Sequence, residues 1–336
     1  MYESDIQQVV MPPSPPPMPI KKVIKRTSNY MVGGLLIYEA FMIISSILYF
    51  VVAMFYKIIT QYGHKDLEEV ISELSINLEK SGTPYLLAIL FGLPLIFLYY
   101  QSIRPTKIKQ LFVSNTKMDK RIFLMFFIVC MSGQAIFSLI GGGLEALFNL
   151  LGLSIMKALE QVPQSSSISM ILYISFLGPI TEELLFRGIL LRRLEKFGKV
   201  FAIVVSSVLF GAFHGNLAQG LFATFMGLIF AYVAIEYSIK WSILLHIINN
   251  FVFGELFLLL TGNLSPSIQD NISAVMYGLF LVGAIIIVFR SRKSILEYIR
   301  SNKTTKGFYR YAFTSSVMII FLIVQLLMSI LAIRPI

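Results

Sequence analysis

Apolar residues run through this chain in long blocks separated by shorter polar stretches. The blocks fall near 31–56, 84–100, 122–150, 168–191, 200–214, 217–237, 241–261, 273–289 and 311–333. A hydrocarbon core takes about 20 apolar residues of helix to cross, and about nine blocks reach or approach that length. The fifth is short, which leaves a re-entrant or tilted segment open there. The alternation that marks a membrane β-barrel, in pieces of about ten residues, is absent. In lipid only internal hydrogen bonds satisfy a backbone, so the blocks predict helices. The expected fold is an all-α polytopic membrane protein with about eight or nine transmembrane helices. Between the first two blocks, Leu67, Val70, Ile71, Leu74 and Leu78 recur at helical spacing within 58–83, which predicts an amphipathic helix on the outer membrane surface.

Composition agrees: 56% of the 336 residues are hydrophobic and 14% charged, too little polar surface to coat a soluble globule. The net charge of +10 matters through its placement. Every second loop is basic. Arg104, Lys107, Lys109, Lys117, Lys120 and Arg121 follow the second block, and Arg192, Arg193, Lys196 and Lys199 follow the fourth. Lys240 follows the sixth, and Arg290, Arg292, Lys293, Arg300, Lys303, Lys306 and Arg310 follow the eighth. The loop 58–83 is acidic on balance, with Asp66, Glu68, Glu69, Glu73 and Glu79. The positive-inside rule then places the N-terminus in the cytoplasm and the C-terminus outside. Topology thus accounts for the basic excess, and no nucleic acid is expected as a partner.

Residues 1–26, with "MPPSPPPMPI" before the basic cluster Lys21, Lys22, Lys25 and Arg26, read as a disordered Pro-rich cytoplasmic tail. No cleavable signal peptide is visible, and the first block is long enough to be an uncleaved anchor. Cys130, the lone cysteine, lies in the third block and reads as inert packing; His64 reads as an exposed loop residue.

Ionisable side chains within membrane helices are costly and call for a reason. Three local patterns concentrate them: Glu182, Glu183 and Arg187 in "GPITEELLFRG"; His214 in "FGAFHG"; His246 and Asn250 in "HIINN". Glu183 and Arg187 are one helical turn apart and able to pair, which would neutralise both. Glu182 shares a face with Phe186 and Ile189 instead, and so can project into a cavity with no partner of its own. The same spacing puts Phe210 with His214, and His246 with Asn250. Gly178 and Pro179, just upstream, can loosen the helix and free backbone groups. At about 1.5 Å per residue, Glu182 lies about 15 Å from Arg192, His214 about 22 Å from Lys199 and His246 about 9 Å from Lys240, so periodicity alone does not bring them together. Singly, each group also has a structural explanation, as a helix staple, a hydrogen-bonded core histidine or a water site. Glu39, Glu145 and Glu255 are assigned to packing, helix contacts or water-lined grooves.

Together the three patterns resemble the CPBP (CAAX protease and bacteriocin-processing, or Abi) family of intramembrane endopeptidases, related to the type II CAAX prenyl proteases. That family's motifs are two glutamates, three variable residues and an arginine; an aromatic residue four before a histidine; and a histidine four before an asparagine or aspartate. Glu182, Glu183 and Arg187, then Phe210 and His214, then His246 and Asn250 match them in order. The resemblance covers about 168–260, within a catalytic core taken as 168–262; 27–167 and 263–336 supply N- and C-terminal transmembrane helices without such a signature.

The resemblance implies a conical intramembrane cavity in which Glu182 is the general base and His214 helps to hold or activate a water, while His246 and Asn250 donate to the oxyanion. Glu183, Arg187 and Phe210 would support them, positioning Glu182 and neutralising charge. A mechanism that requires no metal is favoured. A zinc ion on Glu182, His214 and His246 is the alternative, against which stand the lack of an HExxH pair and the poor quality of asparagine as a zinc ligand. The expected substrates are membrane-embedded or lipid-modified peptides or proteins, in a bilayer read as a bacterial plasma membrane. Rival readings are a non-proteolytic adaptor regulating a sensor kinase or transporter, and a proton-coupled transporter, for which no inverted repeat is found.

Overall fold

The computed structural model describes residues 18–61, 66–101, 112, 115–157 and 167–336. The Pro-rich stretch 1–17, His64, Arg104, Lys107 and Lys109 lie outside the described residues, as do the side chains of Leu67, Leu78 and Glu79.

Among the described residues, nine apolar helices coincide with the nine blocks. They are α1 (Ile20–Gln61), α3 (Thr83–Gln101), α4 (Lys120–Asn149), α5 (Ile168–Phe197), α6 (Lys199–Ala212), α7 (Leu217–Glu236), α8 (Ile239–Thr261), α9 (Pro266–Ser301) and α11 (Ser316–Leu331). Among the described residues, seven of these are long and apolar enough to cross a membrane, and α6 and α11 are shorter. The chain is an all-α polytopic membrane protein. Leu259, Leu279 and Ile59 are more than two-thirds exposed, as side chains meant for lipid would be.

Among the described residues there are also two short helices. The amphipathic α2 (Leu67–Lys80) packs back on α1 through buried Val70 and Leu74, with an ion pair from Lys57 to Glu73 and Asp66 capping its first turn through the Glu69 N–H at 2.8 Å. Helix α10 (Phe308–Phe313) precedes α11. The stretch read as a tail needs correction, because α1 begins at Ile20 and takes in Lys21, Lys22, Lys25 and Arg26. Buried Ile24 and Ser28 continue the packed face of α1, and Lys25 Nζ donates to the Thr314 carbonyl at 2.9 Å, so this turn is held by tertiary contacts.

Polar contacts gather the loop ends into two layers. At one end Arg193 donates to the Tyr100 carbonyl at 2.7 Å and Arg192 to that of Ala234 at 2.8 Å. Lys199 and the Tyr298 hydroxyl both reach Glu236, at 2.8 and 2.7 Å. At the other end the Ser167 hydroxyl donates to the Lys80 carbonyl at 2.7 Å, and β1 (Leu153–Ser154) pairs antiparallel with β2 (Arg334–Pro335). The basic loops therefore share one end of the bundle, as alternate crossings require.

Two elements depart from regular helix where it matters. Helix α5 contains π-helical turns at Tyr173–Leu177 and Leu184–Leu191, and α8 contains one at Phe251–Leu256. Such turns are rare and concentrate at functional sites. In the first, the Gly178 N–H bonds the Tyr173 carbonyl, five residues back, rather than that of Ile174. The next residue, Pro179, has no N–H to offer. The Ile174 carbonyl is thereby left to a donor from elsewhere.

Candidate active site

Helix α5 carries Glu182 and Glu183 between its two π-helical turns, and α8 crosses it with Ser242, His246, Asn249 and Asn250. Glu183 and Arg187 are fully buried and paired at 3.1 Å, as the one-turn spacing predicts. Glu183 does more than neutralise the arginine. Its Oε1 lies 3.0 Å from His246 Nδ1, and its Oε2 accepts from the Ser242 hydroxyl. This carboxylate therefore grips α8 and holds the histidine, where the sequence suggested that it steadies Glu182. The Arg187 guanidinium sits 4.1 Å from the centroid of the Phe210 ring, with Phe230 and Phe186 at 5.5 and 5.9 Å. Aromatic faces thus take up charge that the pair does not quench.

Both histidines have one nitrogen tied. A carboxylate accepts, so His246 donates from Nδ1 to Glu183, and its Nε2 faces Glu182 at 3.7 Å. A carbonyl also only accepts, so His214 donates from Nδ1 to the Phe210 carbonyl at 2.8 Å, leaving its own Nε2 for other work. His214 lies just past the end of α6, in the turn to α7, where Gly215 adopts φ +58 and permits the reversal. Phe210 meets both imidazoles edge-on, at 5.0 and 5.8 Å between centroids, while Phe230 stacks on His246 at 4.8 Å. Glu182, one-fifth exposed, acts electrostatically on His214 and on the phenols of Tyr38 and Tyr173.

The structure thus gathers Glu182, Glu183, Arg187, Phe210, His214 and His246. Asn250 is turned toward α5, where its amide donates to the freed Ile174 carbonyl at 3.0 Å. Sequence reasoning missed Ser242, Tyr38, Tyr173, Phe230, Asn249 and Gln134. Ser242 stands one turn before His246, and Asn249 stands beside Asn250 in "HIINN", so both could have been found; the others lie in apolar runs with no local signal. Glu39 is taken up by Gln325, and Glu145 by the N–H groups of Ile155 and Met156 at 2.9 and 3.0 Å.

Two imidazole nitrogens and a carboxylate are zinc-compatible donors in kind, and each ring has the outer-shell partner that zinc-binding histidines have. Their placement differs. Among the described residues no three His, Cys, Asp or Glu side chains are grouped closely enough to hold a metal ion. The residues as placed do not fit zinc.

Comparison with known proteins converges on the same segment. Residues 164–252, which span α5 to the middle of α8, match the family model of the Rce1-like type II CAAX prenyl endopeptidases. This bears out the CPBP/CAAX protease resemblance read from the motifs. The chain is also 32% identical over 130 residues to the protein named "Putative membrane peptidase YdiL" of Bacillus subtilis (strain 168), covering 38% of this chain and 51% of that one. The chain thus spans about half the length of this curated relative. No solved structure matches the chain.

Proposed function

We propose that this chain is an intramembrane endopeptidase that hydrolyses peptide bonds of membrane-embedded or lipid-anchored peptides or proteins. The observation that carries the reading is the junction of α5 and α8, where Glu183 fixes His246 so that Nε2 looks toward Glu182. Glu183 and Arg187 cancel each other, and Glu182 is left as the reactive carboxylate. In the step proposed, Glu182 takes a proton from a water held with His214, and the hydroxide oxygen bonds the scissile carbonyl carbon. The oxyanion is met by an N–H on Nε2 of His246, whose ring Glu183 holds, and by the second amide hydrogen of Asn250, the first staying on the Ile174 carbonyl. The carbon–nitrogen bond then breaks, and the leaving amine takes the proton from Glu182.

The basic end of the bundle is assigned to the cytoplasm, which puts the N-terminus inside and the C-terminus outside. The bacterial relative supports a bacterial plasma membrane. The test compares new peptide termini in membranes of cells carrying the wild type and Glu182→Ala at equal abundance, with and without a chelator. Fragments that vanish with the substitution and persist under chelation are expected. Loss under chelation would transfer water activation to a metal, and unchanged termini with an altered cell phenotype would replace the enzyme by an adaptor.

A further inference from the structure

Three carboxamides from two helices form a chain that ends on the π-helical turn. Gln134 Nε2 donates to Asn249 Oδ1 at 3.3 Å, Asn249 Nδ2 donates to Asn250 Oδ1 at 3.1 Å, and Asn250 Nδ2 donates to the Ile174 carbonyl at 3.0 Å. The direction of this chain is forced from its far end. A backbone carbonyl can only accept, so Asn250 must present its NH₂ to Ile174 and its oxygen to Asn249. Asn249 must then present its own NH₂ to Asn250, which leaves its oxygen for Gln134. The acceptor exists because Pro179 lacks an N–H and the Gly178 N–H is used by Tyr173.

We infer that Gln134 and Asn249 are positioning residues, which hold the Asn250 carboxamide with its oxygen turned back to Asn249 and its NH₂ on Ile174, so that the second amide hydrogen is left for the oxyanion. The inference rests on the proposed role of Asn250 as an oxyanion donor. Gln134 lies on α4, outside the segment that matches the protease family. It follows Gly133, where any side chain would run into Met226 and Phe222 of α7, so α4 approaches the motif helices closely at this point. A helix without motif residues therefore supplies the first link of the relay. An inverted Asn250 would aim its oxygen, with like partial charge, at an oxyanion.

Asn249→Asp gives the sharpest test. The ionised carboxylate accepts from Gln134 but has no hydrogen for Asn250; the protonated acid donates to it and restores the direction. Cleavage by the purified full-length chain in proteoliposomes is expected to fall about tenfold in kcat at alkaline pH, with KM changed less than about twofold, and the ratio to wild type to recover as pH is lowered. Gln134→Met keeps the volume, removes the donor, and is expected to lower kcat about threefold to tenfold without a pH-dependent recovery. Gln269→Met, which loses an exposed bond to the Leu264 carbonyl far from the motifs, is the control and should stay within about twofold of wild type. A variant-to-wild-type ratio for Asn249→Asp that is flat with pH, or a loss seen only in KM, would overturn the relay.

If the wild type cleaves nothing, the protease reading fails and the relay is judged separately. Selective ¹⁵N labelling of asparagine then follows the Asn250 side-chain NH₂ in micelles, with Asn250→Ala for assignment. Slow exchange that is lost in Asn249→Asp at alkaline pH and returns in acid supports the relay, and unaltered exchange refutes it.

Discussion

Glu183 is the residue with the most work to do. It neutralises Arg187, orients His246 and receives Ser242, all with no exposed surface. Removing its charge leaves a guanidinium buried and unpaired, which is far worse than removing both partners. Glu183→Gln is therefore expected to lower unfolding stability by about 3–5 kcal/mol in detergent. Glu183→Gln combined with Arg187→Met should recover much of that loss yet stay inactive, because nothing then holds the ring of His246. Full activity in the double variant would mean that Glu183 serves charge balance alone. The one-turn pairing of Glu183 with Arg187 was legible in the sequence, because helical geometry alone sets it. The grip on Ser242 and His246 was not, since these partners lie 59 and 63 residues away and helical spacing says nothing of contacts between distant helices.

At the scale of elements, the important irregularity is the π-helical turn that Gly178 and Pro179 close. Pro179→Ala supplies an N–H to the carbonyls one turn back and lets α5 relax toward a regular register. The expected result is a gain of about 1–3 kcal/mol in stability together with slower cleavage, since Ile174 no longer has an unsatisfied carbonyl for Asn250. Thermal unfolding and turnover measured on the same preparation check both halves, and a stabilised variant with unchanged turnover would show that the turn is only structural. The proline announced a loosened helix, but a π-helical turn leaves no mark of its own in composition. It adds one residue to a turn and shifts the apolar stripe, which on a membrane helix apolar on every side cannot be seen. The start of α1 misled for a related reason. Lysines mark where a helix leaves the hydrocarbon, not where it stops being a helix, so 20–26 looked like tail.

For the molecule as a whole, the nine blocks and their alternating loop charge carried the architecture, because lipid admits so few backbone solutions. Convergence of the motif helices could not be counted out from loop ends, since the tilt and irregular turns that bring His214 and His246 toward Glu182 arise only in the packed bundle. Sidedness is checked by impermeant maleimide labelling on a Cys130→Ala background, in which exposed Asn263→Cys should react in intact cells and exposed Thr305→Cys only after lysis. The reverse pattern would invert the proposed orientation, and equal labelling of both would refute alternate crossings. The mutual cancellation of Glu183 and Arg187 has an electrical side as well. Whenever Glu182 is ionised, a negative charge stands about 15 Å from the basic end, near mid-depth of the bilayer. A membrane voltage acts on that charge with about 2.3 kcal/mol per 100 mV for a full crossing, hence about 1 kcal/mol at half depth. A proton that reaches Glu182 from the cytoplasm crosses part of this field, so the energised state of the cell shifts how often Glu182 stands ionised and ready to act as base.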